Sequence, residues 1–210
     1  MPRIAYSEED RERIRTELIT VGLELMAQQG MQRTTVQQIY ERVGISRTFF
    51  YSFFPTKEDL IVEALYLQQP RILAYARQLM EQPSLSWQDA VRQFLYSCCY
   101  GERNGIAILS IEDQQLLFRH LSEESYTRFR HRQFTLFGRI LECFGIQADT
   151  ARIGLFINLS LAVMIVRKAI PDSLPMLVPE AADEAVDFQI HAIVDALERF
   201  REPLPPADGN

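Results

Sequence analysis

The sequence predicts an all-α protein: an N-terminal three-helix helix-turn-helix domain followed by a larger helical domain, about nine helices in all. Three observations carry this. Helical apolar spacing recurs along almost the whole chain, and strand signals are nearly absent. Two short helical patterns flank Gly44 within the stretch from Thr34 to Leu60. From Glu41 to Glu58 no acidic side chain intervenes, yet Arg42, Arg47 and Lys57 are all present, in a chain of net charge −6.

Taken in order, Ser7 with Glu8, Glu9 and Asp10 opens the first helix, because acids are favourable near its positive end. Ile14, Leu18, Val21 and Leu25 give its buried stripe, and Gly30 stops it. Thr34 with Gln37, or Thr35 with Gln38, fits a capping box that starts a second helix. Val36, Ile39, Tyr40 and Val43 share one face of it. Gly44 suits the left-handed turn that ends a helix, Ile45 plugs the angle, and Ser46 caps the next helix. That third helix is very short, from Arg47 to Phe53. Two helices joined steeply by a Gly-containing turn are the arrangement in which the second enters the major groove and the first crosses the backbone.

A further helix is expected from Thr56 toward Glu81, with Pro70 as an interior kink or break. Ser86 caps a helix carrying Trp87, Val91, Phe94, Leu95 and Cys98. Gly101 to Gly105 reads as a turn, and Ile106 to Phe118 resumes helical spacing. Glu123 to Phe144 and Asp149 to Ile170 are the next helices; a proline-rich crossing from Pro171 to Pro179 leads to a last helix over Glu180 to Arg201. The expected division is residues 1–55 for the helix-turn-helix domain, 56–203 for the larger helical domain, and 204–210 as a disordered tail.

The segment around Gly44 resembles the tetracycline-repressor (TetR) family of transcriptional regulators. The resemblance rests on Gly30, Thr34-Thr35, Ile39-Tyr40, Gly44-Ile45-Ser46, Tyr51, Phe53-Phe54 and Thr56-Lys57-Glu58-Asp59-Leu60, in order and spacing. Tyr40 replaces the usual Ala, and Phe49 stands where a small residue is common. The resemblance implies that Thr35, Tyr51 and Lys57 touch phosphates, which fix register without reading sequence. Arg47, Thr48, Phe49 and Ser52 would face the groove floor, Arg47 on guanine and Phe49 or Thr48 on a thymine methyl. Phe50, Phe53 and Phe54 read as core, Phe49 as either, and Lys57 is open to a second reading as a solvated charge at a helix start.

Composition sets limits on the rest. An acidic chain with a pI near 5.2 does not bind nucleic acid indiscriminately, so affinity must come from a few phosphate contacts. Cys98, Cys99 and Cys143 have neither zinc-ligand spacing nor a secreted disulfide framework, and no metal or cofactor is expected. Cys98-Cys99 reads as apolar packing, with oxidant sensing as the alternative. No catalytic constellation is visible: His120, His131 and His191 are scattered. The first residues lack a signal-peptide pattern, and the apolar tract between Arg152 and Arg167 suits a core helix better than a membrane span, so a cytoplasmic protein is expected.

The last two helices carry the oligomer argument. The Ile153–Val166 segment is apolar on nearly every side, and the final helix has an unbroken apolar stripe. The resemblance implies that they pair into a four-helix dimer interface, through Phe156, Leu159, Val163, Val186, Ile190, Ile193 and Leu197. The alternative is a monomeric bundle whose stripes meet each other. An effector cavity is likewise implied, lined by Trp87, Phe94, Cys98, Phe134 and Phe137, with Glu112 and Asn158 as its polar groups. The function expected is a homodimeric, ligand-responsive repressor of a palindromic operator. Two rivals are a helical ligand-binding or enzymatic protein with a vestigial helix-turn-helix, and a module that holds a protein partner on its aromatic Phe49–Phe54 surface.

Overall fold

The computed structural model describes residues 6–100, 109, 111–170 and 176–201. These hold ten α-helices and no strand: α1 (Glu8–Gln29), α2 (Val36–Val43), α3 (Arg47–Tyr51), α4 (Lys57–Leu67), α5 (Gln69–Met80), α6 (Trp87–Tyr100), α7 (Ile111–His120), α8 (Glu123–Cys143), α9 (Thr150–Ala169) and α10 (Ala182–Phe200), the last preceded by a 3-10 turn at Pro179–Ala181. The helix expected over 56–81 is therefore two. Pro70 has no N–H to give to the carbonyl four residues back, and the chain breaks at Gln68. The expected turn from Gly101 to Gly105, the residues from Ile106 to Ile108, most of the proline-rich crossing and the tail after Pro203 lie outside the described residues.

The helix starts follow side-chain chemistry. The Ser7 hydroxyl accepts from the Asp10 N–H at 3.1 Å, and the Asp10 carboxylate accepts from the Ser7 N–H at 3.3 Å, closing a capping box. Hydrogen bonds from Ser7 and Arg13 hold the Asp10 carboxyl below its ordinary range. Ser86 starts α6 and Asp149 starts α9 in the same way, each accepting from an N–H three residues on.

The described chain forms two compact units, the first comprising the residues up to Gln69 with Ile111–Phe129, the second the described parts of Pro70–Ser110 and Arg130–Asn210. The first thus takes in more chain than residues 1–55. In it α1 packs on α2 and α4, and α2 on α3. The expected stripe of α1 is buried: Ile14, Leu18, Val21 and Leu25. Helix α1 approaches α4 closely at Gly22, where an added Cβ would overlap Leu60 Cδ2. In the second unit α6 packs on α9 and α10, and α9 on α10. Its core runs from Ile72, Leu73 and Ala76 through Phe94 and Leu95 to Phe137, Phe144 and Phe156, and on to Ile190 and Leu197.

Candidate DNA-binding interface

The interface begins with two caps and a glycine. Thr35 caps α2 with Gln38 as its capping-box partner: the Gln38 N–H reaches the Thr35 hydroxyl at 3.2 Å, and the Thr35 N–H reaches Gln38 Oε1 at 2.9 Å. Thr34, the other candidate, is buried and gives its hydroxyl to the Gly30 carbonyl at 2.8 Å. Gly44 ends α2 at φ 78°, ψ 29°, the left-handed region where a Cβ is penalised. Ser46 then accepts from the Phe49 N–H at 3.2 Å and starts α3.

Residues four apart on α3 and its last turn sort into flanks. Phe50 and Phe54 are buried in the unit's core. Thr48 and Ser52 are exposed on the outer ridge, Ser52 giving its hydroxyl to the Phe49 carbonyl at 2.7 Å. On one flank the Arg47 guanidinium lies 5.8 Å from the ring centroid of exposed Tyr51. On the other, Phe49 and Phe53 meet edge to face with centroids 5.0 Å apart, and both are half-buried. Phe49 does not stand free for a thymine methyl: Tyr6 stacks on it at 4.5 Å, because the chain just before α1 passes beside α3. Phe53, expected in the core, is half-buried on that same flank.

The charges of the acid-free window are only partly available. Arg42 pairs with Glu24 at 2.9 Å. Lys57 gives two hydrogen bonds to backbone carbonyls, those of Met31 and Thr34, at 3.2 Å each. It is therefore not a solvated charge: two of its three N–H groups tie the start of α4 to the loop entering α2. Arg47 makes no ion pair among the described residues. Reading within Thr34–Leu60 could not find Tyr6 or Arg11, which lie earlier in the chain and reach α3 only through the fold. Arg11 sets its guanidinium 4.8 Å from the Phe53 ring centroid.

The arrangement is a short exposed helix after a glycine turn, with polar residues on its ridge and a guanidinium beside aromatic rings on either flank. Residues 18–64 match the model of the bacterial regulatory proteins, tetR family. The match covers the helix-turn-helix segment, and it identifies that segment as a TetR-type N-terminal domain. The chain's fold is shared, at 18% identity and a TM-score of 0.59, with a TetR transcriptional regulator from Rhodococcus sp. RHA1, over 89% of this chain and 96% of that one. RolR in complex with resorcinol is similar at 16% identity and a TM-score of 0.57, over 95% of this chain and 98% of that one. A TetR-family transcriptional regulator from Streptomyces coelicolor gives 16% identity and a TM-score of 0.54, over 91% and 97%. No curated protein sequence matches.

The residues expected to line an effector cavity divide. Phe94, Cys98 and Phe137 are buried in the second unit's core, and Phe134 is half-buried beside Gly154. Trp87 is half-buried at the start of α6, its indole N–H on the Phe144 carbonyl at 2.8 Å and Arg201 over its ring at 4.7 Å. The two polar candidates are misplaced. Asn158 is exposed on α9, because its face is opposite the one carrying Phe156 and Ser160. Glu112 is exposed in the other unit. The core's polar groups are instead Ser160, fully buried with no hydrogen-bond partner among the described residues, and the Tyr75 hydroxyl, 2.7 Å from Ser97 Oγ.

The stripes expected to meet a second copy are spent within one chain. Phe156, Val163, Val186, Ile190, Ile193 and Leu197 are all buried against their own subunit, because α9 and α10 pack on each other and on α6. Only Leu159 of that set faces outward, with Leu155, and on α10 Phe188 is 73% exposed. By length and composition α9 could also cross a membrane, and 22% of its most apolar stretch is buried within the chain. Among the described residues no three His, Cys, Asp or Glu side chains gather to hold a metal ion.

Proposed function

We propose that the protein is a homodimeric, cytoplasmic repressor that holds a palindromic operator through α3 and releases it when a small molecule occupies the core of the second unit. The chain acts by binding and not by catalysis. The observation that carries the DNA reading is the exposed Thr48–Ser52 ridge beside Arg47, set by the caps at Ser46 and Thr35. Arg47 is suited to a bidentate contact with guanine, and Thr48 to a thymine methyl. Thr35 and Tyr51 supply phosphate contacts, with Lys57 holding the frame and presenting its remaining N–H.

The outward face of α9 and α10 supports the dimer. Leu155 and Leu159, four apart on one side of α9, and Phe188 on α10 are large apolar side chains left exposed, and in the proposed dimer a second copy related by a two-fold axis covers them. Two-fold symmetry in turn sets two α3 helices for half-sites on successive turns of DNA. For the effector, the apolar core around Phe94, Phe137 and Phe156 with unpaired Ser160 suits an aromatic or aliphatic molecule bearing one hydrogen-bonding group. RolR, a structural neighbour, is bound to resorcinol, a ligand of that kind.

Selection of bound fragments from random duplex DNA tests this directly. An inverted repeat is expected; recovery of no preferred sequence at low salt defeats the DNA reading. Repeating the titration with candidate small molecules tests the release. Linkage requires that an effector which weakens DNA binding is itself bound more weakly by the DNA complex, by the same factor.

A further inference from the structure

We propose that Arg11, on α1, is a DNA-phosphate contact of the same interface as α3, held in place by the Phe49–Phe53 aromatic pair. This rests on the DNA-binding function proposed above. Two distant stretches of chain are juxtaposed. The Arg11 guanidinium lies 4.8 Å from the Phe53 centroid and 5.8 Å from that of Phe49, and Tyr6 closes over Phe49 at 4.5 Å with ring planes 20° apart. A guanidinium above aromatic rings is attracted by their electron-rich faces and keeps its in-plane N–H groups for an oxyanion.

The neighbouring arginines show why Arg11 is distinct. Arg13 is paired with Asp10 at 3.1 Å and Arg15 with Glu63 at 3.1 Å, whereas Arg11 makes no ion pair among the described residues. The acids of the first turns do not cancel it. Glu9 and Glu12 point about 160° and about 100° around the helix from Arg11, and Asp10 is committed to Ser7 and Arg13. Glu8 shares its side, but the guanidinium is the group fixed over the rings. Position then selects the ligand. Arg47 and Tyr51 lie on one flank of the Thr48–Ser52 ridge, and Arg11 with Phe49 and Phe53 on the other. A helix seated in the major groove has a phosphate wall on each side. Arg11 addresses the wall opposite the one nearest Arg47, a phosphate and not a base. The large residue at position 49 thereby gains a reason: its ring stacks with Tyr6 and lies within reach of the Arg11 guanidinium.

The test uses the full-length protein and the inverted repeat it selects, with affinity measured by fluorescence anisotropy at several salt concentrations. Arg11→Met keeps the aliphatic stem over the rings and removes the charge. We expect it to weaken operator and random duplex alike, by roughly tenfold, and to make the slope of log affinity against log salt shallower by about 0.9 per subunit. Arg11→Lys should restore the slope without the full affinity, because an ammonium lacks the planar fork. An Arg11→Met protein with the wild-type slope overturns the inference, whether its affinity is unchanged or reduced by a general loss of fold. Arg47→Ala serves as the control: if it alters base preference while Arg11→Met changes nothing, the inference fails and the DNA reading stands. If the wild-type protein binds no duplex, both fall.

Discussion

Lys57 and Arg47 sit ten positions apart in the same acid-free window, yet the fold gives them opposite tasks. The Lys57 ammonium bonds two carbonyls of the α1–α2 loop, and hydrogen bonds to a charged group are the stronger kind. Lys57→Ala should therefore weaken every DNA site alike and also lower unfolding free energy by about 1–3 kcal/mol, seen as a lower midpoint in chemical unfolding. Arg47→Ala should leave the midpoint in place and relax preference at one base pair, measured by binding to a panel of operator variants. The cysteines show the same dependence on surroundings. Burial raises the thiols of Cys98 and Cys99 from 9.0 to about 12, with the Cys99 charge adding to the rise at Cys98 and Arg167 partly opposing it at Cys99. A thiol that stays protonated at neutral pH is a poor nucleophile, so packing is the reading favoured over oxidant sensing. An acid with a raised folded-state pKa stabilises the fold below its unfolded value, and that stability is lost as pH climbs toward the folded one. Stability should hold through neutral pH and fall between 9.0 and about 12, and Cys98→Ala should flatten that fall.

At the scale of elements, two glycines control how the first unit is built. Gly44 is legible in sequence because a helix ending before another short helix needs a residue at positive φ. Gly44→Ala should cost about 1–2 kcal/mol by that strain alone, since nothing stands near its missing Cβ. Gly22 is not legible, because nothing around it in the chain announces the approach of α4. Its substitution would normally favour a helix, but here a Cβ meets fully buried Leu60. Gly22→Ala is expected to destabilise by about 1–3 kcal/mol, the usual cost of overpacking, against the gain from helix propensity. Caps, helix order and the α3 start at Ser46 are readable from local chemistry. The outward face of α9 is not: an all-apolar helix gives no sign of which side its neighbours take, so Phe156 and Val163 look like interface in the sequence and are core in the fold.

For the whole molecule, the proposed dimer turns on the outward residues of α9 and α10. Phe188→Glu or Leu159→Glu places a charge where a second copy is expected. Each should shift sedimentation toward a single chain and, with one α3 per particle, reduce operator affinity by at least roughly a hundredfold through the lost second attachment. A variant that still sediments as a pair would move the interface elsewhere. The fold class and the DNA-reading segment are legible in the chain because spacing and capping are local. The partners of Arg11 and Lys57 are not, because each depends on a contact made across the fold.

The Lys57 ammonium grips the Met31 and Thr34 carbonyls at the foot of α4. Together with the wedge of Leu60 into the gap at Gly22, it locks the base of α4 to the frame that presents α3. A reader clamped in this way has no soft joint of its own through which to blunt its grip. Under the proposed function, release is then expected to work like callipers, altering the gap between two unyielding tips and leaving the shape of each unchanged.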